Sequence, residues 1–194
     1  MDKISIKAEN IQLSPNQILT INKEFYRGKM YVITGPSGVG KTTIFKYISG
    51  LKKNEKVLVE PKDLSHEQIT QVYQDLKLVS NYTGYQNCEF PFLINNKTIE
   101  KERIDILANR IKIDFDLNQK ISQLSGGQKQ KIAILRALLL SGEVFLFDEM
   151  TSNLDREYRT FILNYILKNY QDKILIFITH DFEVMEIADE VIEL

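Results

Sequence analysis

A glycine-rich loop between an apolar run and a helical segment constrains the fold of this chain more than any other feature. The loop occupies residues 35–42 with the sequence Gly-Pro-Ser-Gly-Val-Gly-Lys-Thr, directly after the apolar residues 30–33. The apolar run predicts a buried strand, and residues 42–49, followed by Gly50, predict a helix. Glycines let backbone N–H groups approach a phosphate at the start of such a helix. The sequence therefore predicts a strand–loop–helix unit that binds a phosphorylated ligand.

The composition indicates one ordinary globular domain. The 194 residues are 43% hydrophobic and carry 25 basic and 26 acidic side chains, for a net charge of −1. This balance gives no electrostatic reason to expect nucleic acid as a partner. The longest apolar runs, such as residues 174–178, are far shorter than the roughly 20 residues that span a bilayer. We therefore expect a soluble chain, and its single cysteine, Cys88, fits a reducing cytosol.

Hydrophobic periodicity predicts an α/β domain with a helical insertion. Residues 4–34 read as three short strands, and residues 78–142 contain few strand signals. The later predicted elements are helices at 101–112, 126–140 and 156–169 and strands at 143–147 and 173–178. Strands that alternate with helices form a mainly parallel sheet, which binds ligands at the carboxyl ends of its strands. We expect a single domain, residues 1–194, with a helical subdomain at about 78–142.

A second motif places two acids at the end of an apolar strand. Residues 144–149 read Val-Phe-Leu-Phe-Asp-Glu. Asp148 would reach a Mg²⁺ ion, and Glu149 would orient or deprotonate the water that attacks a phosphate. In isolation a surface pair of acids closing a strand is an equally good interpretation. Beside a phosphate-binding loop, the functional interpretation is favoured.

A third motif, residues 124–128 with the sequence Leu-Ser-Gly-Gly-Gln, opens the predicted helix at 126–140. A serine and two glycines at a helix start present a hydroxyl and N–H groups to an anion. The three motifs, in this order, resemble the Walker A, signature and Walker B motifs of ATP-binding cassette (ABC) ATPases. Lys129 and Lys131 stand where arginines are common in that family.

The resemblance implies a P-loop NTPase fold of the ABC type. Its parallel sheet would carry an N-terminal antiparallel β subdomain and a helical insertion with the signature motif. The implied activity is a Mg²⁺-dependent ATPase with ATP and Mg²⁺ as cofactors. The nucleotide-binding residues would be Gly35, Pro36, Ser37, Gly38, Val39, Gly40, Lys41, Thr42, Thr43, Ser125, Gly126, Gly127 and Gln128. The metal ligands would be Thr42, Gln74 and Asp148, and the catalytic residues Lys41, Gln74, Glu149 and His180.

Three of the family's shorter motifs also have counterparts. Gln74 resembles the Q-loop glutamine, which contacts Mg²⁺ and the attacking water and links two subdomains. Residues 152–155 resemble the D-loop, which communicates across a dimer. His180 follows an apolar strand, like the family's switch histidine, which contacts the γ-phosphate. His66, by contrast, is expected to be an ordinary solvated residue, and residues 188–194 resemble the family's last core strand.

The family's adenine-stacking aromatic has no counterpart here. Residues 10–17 contain no Tyr, Phe, Trp or His, so Ile11 or Leu13 would give apolar contact alone. Aromatic stacking of a base contributes about 1–3 kcal/mol in nucleic-acid sites. We therefore predict weaker binding and poorer discrimination between ATP and GTP.

The implied function is that of a subunit which powers a membrane transporter, of a small export or extrusion system. It would pair head to tail with a second ATPase subunit and bind a separate transmembrane subunit at the cytoplasmic face of the cell membrane. Four aromatics would either line the groove for that partner or pack the joint between subdomains: Tyr82, Tyr85, Phe90 and Phe92.

Two other functions remain open on the sequence. One is an ABC ATPase that acts on soluble machinery instead of a transporter. The other is a nucleotide kinase, because the glycine loop also resembles that of guanylate kinases. The motif at residues 124–128 and the 34 residues before the loop disfavour the kinase.

Overall fold

The computed structural model describes residues 1–15, 17–62 and 64–194, with the side chain of His66 outside that description. The expectation for His66 therefore lies outside the described part of the chain. Two compact units are present. The first contains Met1–Gln71, Gly142–Glu149 and Tyr170–Leu194, and the second contains Val72–Ser141 and Met150–Asn169.

The described residues form strands that concentrate in the first unit and helices that concentrate in the second. The strands are β1 (Lys3–Ser14), β2 (Gln17–Tyr26), β3 (Met30–Thr34), β4 (Val57–Glu60), β5 (Ile69–Val72), β6 (Val144–Asp148), β7 (Ile174–Ile178) and β8 (Glu190–Glu193). The helices are α1 (Lys41–Ile48), α2 (Gly84–Leu93), α3 (Lys101–Arg110), α4 (Gly126–Leu140), α5 (Arg156–Asn169) and α6 (Phe182–Glu186). Short 3-10 turns lie at His66–Gln68 and Ile121–Gln123.

Two sheets organise the strands. β2, β1 and β4 form an antiparallel sheet in that order, and β5-β6-β7-β3-β8 form a second sheet. In the second sheet β3 pairs in parallel with β7 and β8, and β6 pairs in parallel with β7. The predicted mainly parallel sheet and the predicted N-terminal strands are confirmed, although β1 and β2 are longer than the short strands expected.

The core of the first unit explains why its strands carry apolar runs. Ile4, Ile6 and Ala8 alternate with more exposed neighbours along β1 and are at most 1% exposed. They belong to one cluster with apolar residues of β3, α1, β6 and β7. β6 and β7 are buried at all five positions, as expected for central strands of a parallel sheet. This packing fixes the carboxyl ends of β3, β6 and β7.

The helices of the second unit agree in part with the bounds that the sequence predicts. α4 has the bounds that the sequence predicts, and α3 ends at Arg110 instead of residue 112. α2 was not predicted, because Pro91 and many aromatic side chains hide its periodicity. Its start carries a usable signal, since Thr83 and Gln86 form a capping box. The short strands β4 and β5 and the helix α6 were also not predicted.

A helix crosses a bilayer only if it is both long and apolar. Across residues 1–15, 17–62 and 64–194, no helix has both the length and the apolar character needed to cross a bilayer.

Candidate functional site

The glycine loop joins the end of β3 to the start of α1. Gly40 is the N-cap residue of α1 and has φ 118°, and Gly38 has φ 84°. Residues with a side chain are strained at such angles, so both positions require glycine. Gly40 has no side chain with which to cap the N-terminus of α1. The first N–H groups of α1 therefore remain available to an anion.

The side chain of Lys41 folds back onto this loop. Its Nζ donates to the carbonyl oxygens of Gly35 at 2.6 Å and Pro36 at 3.0 Å. These acceptors are neutral, whereas a phosphate oxygen carries charge and makes a stronger bond to an ammonium group. Lys41 is thus held over the loop, where a phosphate could replace the two carbonyls.

Thr42 and Asp148 meet at the carboxyl edge of the sheet. The hydroxyl of Thr42, in the first turn of α1, donates to Asp148 Oδ2 at 2.9 Å across 106 residues of sequence. Asp148 ends β6 and is 2% exposed. A carboxylate and a hydroxyl beside a phosphate site are oxygen ligands suited to Mg²⁺, which commonly takes one or two carboxylates plus phosphates and waters. Among the described residues no cluster of three or more His, Cys, Asp or Glu could hold a metal. A hydroxyl and a carboxylate as a pair fit an ion that arrives together with a phosphorylated ligand.

Glu149 occupies a strained position directly after β6. Its φ is 51°, in the left-handed region, and its N–H donates to the carbonyl of Ile178 at 2.9 Å. Strain of this kind is concentrated at functional sites, where surrounding contacts hold it. Burial raises the pKa of the half-buried Glu149, while the charges of His180 and Lys41 act to lower it. A carboxylate with a raised pKa is a stronger proton acceptor near neutral pH.

His180 follows β7 and is exposed, while the preceding Thr179 is buried. Thr179 Oγ1 accepts a hydrogen bond from the N–H of Asp181 at 3.1 Å, and Asp181 in turn caps α6. These contacts hold the turn on which His180 stands. The influence of His180 on the pKa of Glu149 places the two side chains in one electrostatic neighbourhood.

The predicted signature motif lies in the second unit, at the start of α4. Ser125 Oγ accepts from the N–H of Gln128 at 3.3 Å, and Gln128 Oε1 accepts from the N–H of Ser125 at 2.9 Å. This reciprocal capping box fixes the first turn. A methyl group added to Gly127 would lie 3.0 Å from the carbonyl oxygen of Asn153, whereas one added to Gly126 would have 4.0 Å of clearance. Gly127 therefore lets the chain at Asn153 pack against the helix start.

Gln74 is exposed and also belongs to the second unit. Two residues later the chain turns through Leu76 and Lys77, which have φ 59° and 47°. Arg136 of α4 donates to their carbonyls at 2.7 and 2.8 Å. Sequence reasoning missed this arginine, although an arginine inside the apolar run of α4 is the signal that could have found it. Arg136 holds the turn that follows Gln74.

The structure thus brings together some of the predicted site residues within the first unit. These are Lys41, Thr42, Asp148, Glu149 and His180, with Thr43 next to Thr42 in the first turn of α1. Gln74, Ser125, Gly126, Gly127 and Gln128 belong to the second unit. Their participation in nucleotide or metal binding stays a prediction.

Comparison with known proteins gives the family. Residues 18–152 match the family model described as ABC transporter. The chain is 35% identical over 186 residues to the sulfate/thiosulfate import ATP-binding protein CysA of a Synechocystis strain, covering 89% of this chain and 52% of that protein. It is 34% identical over 190 residues to the macrolide export ATP-binding/permease protein MacB of Haemophilus ducreyi, covering 89% of this chain and 27% of that protein. The chain therefore spans about half of one relative and about a quarter of the other.

Solved structures agree on the fold. The dimeric ATP-binding cassette MJ0796 in a post-hydrolysis state, bound to ADP and Pi, superposes with a TM-score of 0.81 at 26% identity, over 98% of this chain and 94% of that chain. A putative ABC transporter ATP-binding protein from Pyrococcus furiosus gives a TM-score of 0.84 at 19% identity, over 99% of this chain and 97% of that chain. At that lower identity the likeness concerns the fold alone.

The glycine loop, the paired acids and the parallel sheet define a P-loop NTPase with an α/β fold. Within that class the chain belongs to the ABC transporter family. The predicted ABC ATPase fold and the predicted ABC-type ATPase class are both confirmed by the family match and the solved cassettes.

Proposed function

We propose that this protein binds and hydrolyses ATP to power a membrane transporter. The observation that carries the proposal is the hydrogen bond between Thr42 and Asp148, 2.9 Å long, beside a glycine loop with an uncapped helix start. This hydroxyl and carboxylate would supply oxygen ligands to a Mg²⁺–nucleotide complex bound on the loop. In this proposal the 194 residues act as one cassette, with residues 78–142 as its helical subdomain.

Nucleotide binding would use the first unit's loop. Backbone N–H groups between Gly35 and Thr43, except at Pro36, which has none, would surround the β-phosphate. Lys41 would exchange its loop carbonyls for β- and γ-phosphate oxygens. Thr42 and Asp148 would hold Mg²⁺, with Gln74 as a further ligand. The ion would neutralise charge on the transferring phosphoryl group.

Hydrolysis would depend on Glu149. Its carboxylate, with a pKa raised by burial, would accept a proton from the attacking water or orient that water. His180 would contact the γ-phosphate from the turn after β7. The strained backbone of Glu149 fixes the direction of its side chain relative to β6 and β7.

A second ATPase subunit would complete each site. The start of α4 in one subunit, with Ser125, Gly126, Gly127 and Gln128, would bind the γ-phosphate held by the other. Two observations support this. The capping box orders the first turn of α4 without using the N–H groups of Gly126 and Gly127, and the similar MJ0796 cassette is dimeric.

A transmembrane protein is the proposed partner of the second unit, which would place the chain at the cytoplasmic face of the membrane. Tyr82 and Phe90 stack edge to face at 6.1 Å and are 38% and 39% exposed. Leu93 and Ile94, at the end of α2, are 57% and 64% exposed. Exposed aromatic and apolar side chains of this kind mark interaction surfaces. Tyr85 is also held within the unit, because its hydroxyl donates to Asp105 at 2.5 Å.

The direction of transport, export or import, is the most detailed part of the proposal. Export is supported by the 34% identical macrolide export protein and opposed by the 35% identical sulfate import protein. Similarity therefore favours neither direction. Transport assays with membrane vesicles of known orientation, containing the complete complex, would decide it.

A pull-down tests the function itself. Tagged Glu149→Gln protein, held in ATP and Mg²⁺, would be recovered from detergent-solubilised cells of its own source. We expect a stoichiometric polytopic membrane protein, identified by mass spectrometry. Recovery of ribosomal or other soluble partners without any membrane protein would instead favour a non-transport ATPase. Phosphoryl transfer to GMP should be absent, and its presence would support the kinase alternative.

A further inference from the structure

The hairpin of β1 and β2 packs against the glycine loop. It brings Gln17, which belongs to none of the sequence motifs, next to that loop. A methyl group added to Gly40 would lie 2.8 Å from Leu13 Cδ1 and 3.4 Å from Leu19 Cδ1. A methyl group added to Gly38 would lie 2.7 Å from Nε2 of Gln17. Leu13 and Leu19 therefore pack against Gly40, and the side-chain amide of Gln17 lies against Gly38.

The orientation of the Gln17 amide is held by its cross-strand neighbour. Ser14 and Gln17 are paired in the β1–β2 register, and Ser14 Oγ donates to Gln17 Oε1 at 3.3 Å. This bond assigns the amide oxygen to the side of Ser14. The nitrogen, with two N–H donors, then faces the glycine loop. Gln17 is half-buried, so a ligand on the loop could reach these donors.

The ligand atoms that suit this place are oxygens. The loop and the uncapped start of α1 select phosphate oxygens, and ribose hydroxyls lie next to the phosphates of any nucleotide. Two amide donors complement either kind of oxygen. The same hairpin offers little to a base, because residues 10–17 have no aromatic side chain and Ile11 is 3% exposed within the core.

We infer that Gln17 is a nucleotide-binding residue whose amide nitrogen donates to a phosphate or ribose oxygen of the bound nucleoside triphosphate. The hairpin then recognises the part that ATP and GTP share, instead of the base. This inference rests on the proposed function, because it requires the triphosphate to lie on the glycine loop. It also gives a physical basis for the predicted poor discrimination between the two nucleotides.

Calorimetric titration of ATP and GTP into the purified protein tests the inference. Gln17→Met keeps the side-chain length and removes both donors, so we expect about tenfold weaker binding of each nucleotide. Gln17→Glu should weaken binding further, because a carboxylate repels the phosphates. Gln12→Met, at an exposed position of β1, is the matched control and should bind like the wild type. The ratio of ATP affinity to GTP affinity should stay the same in all variants.

The outcomes distinguish failure of the Gln17 inference from failure of the proposed function. Unchanged affinities in Gln17→Met, or a changed ATP-to-GTP ratio, would overturn the inference while leaving the proposed function intact. A wild type that binds neither nucleotide would instead contradict the proposed function. Titration with inorganic tripolyphosphate separates the two sources of oxygen, since an equal loss indicates a phosphate contact and a loss confined to nucleotides indicates a ribose contact. Thermal unfolding without nucleotide shows that the variants are folded before binding is measured.

Discussion

The helices α1 and α4 differ in how the unpaired N–H groups at their N-termini find hydrogen-bond partners. α1 begins after Gly40 with no side-chain cap. α4 begins after Ser125, whose hydroxyl and the amide of Gln128 cap each other's backbone N–H groups. The first four N–H groups of any helix need partners from outside the helix. The first start therefore leaves that role to a ligand, whereas at the second the protein itself supplies partners for the N–H groups of Ser125 and Gln128.

This difference predicts different costs of mutation. Changes at the start of α1 and at the neighbouring acids should affect nucleotide chemistry much more than stability. Changes at the start of α4 should affect folding stability directly, because protein contacts are lost there.

The largest effect is expected for Glu149→Gln. A general base typically contributes a factor of about 10²–10⁴, so ATP turnover should fall by at least about 100-fold while ATP affinity is retained. Steady-state hydrolysis and equilibrium binding measure the two quantities. Glu55→Gln, at an exposed position, is the control. Wild-type turnover by Glu149→Gln would refute its assigned role.

The next effect is expected for Lys41→Ala. Losing charge-assisted contacts to two phosphates should weaken ATP binding by about 100-fold or more. The unfolding temperature without nucleotide should change little, because Lys41 bonds to exchangeable carbonyls of its own loop. Lys46→Ala, an exposed lysine of the same helix, should preserve binding. A large loss of stability in Lys41→Ala would mean that the loop depends on its lysine for folding.

At the start of α4, Gly127→Ala should destabilise the protein. The added methyl group would lie 3.0 Å from the carbonyl oxygen of Asn153, and overpacking of this kind costs about 1–3 kcal/mol. Gly126→Ala, with 4.0 Å of clearance, is the matched control and should be neutral. Urea unfolding gives both free energies. Equal values for the two variants would show that the contact with Asn153 yields easily.

The smallest effect is expected for Ser125→Ala. Removal of an N-cap side chain costs about 0.5–2 kcal/mol, and Gln128 would lose its reciprocal partner. Urea unfolding without nucleotide is the measurement. Ser122→Ala, at an exposed position just before the motif, controls for loss of a hydroxyl. If Ser125→Ala were as stable as wild type, the capping box at the start of α4 would not contribute to stability. The proposed contrast between α1 and α4 would then be wrong.

Particular residues show where prediction from sequence succeeded and failed. The bounds of α4 were predicted correctly, because Ser125 and the glycines mark its start within a few residues of sequence. Thr83 and Gln86 gave an equally local signal for α2, but Pro91 and the aromatic side chains obscured it. Arg136 could not be assigned a role from sequence, because the carbonyls that it binds lie 59 and 60 residues earlier in the chain.

The sequence by itself determined the family, the order of the three motifs and the start of α4, because these depend on residues close together in the chain. Tertiary structure decided that Thr42 bonds to Asp148 across 106 residues and that Gln17 lies against Gly38. It also decided the strained backbone of Glu149, which depends on a carbonyl of β7. Such contacts arise from the order of strands in the sheet, which local periodicity does not encode.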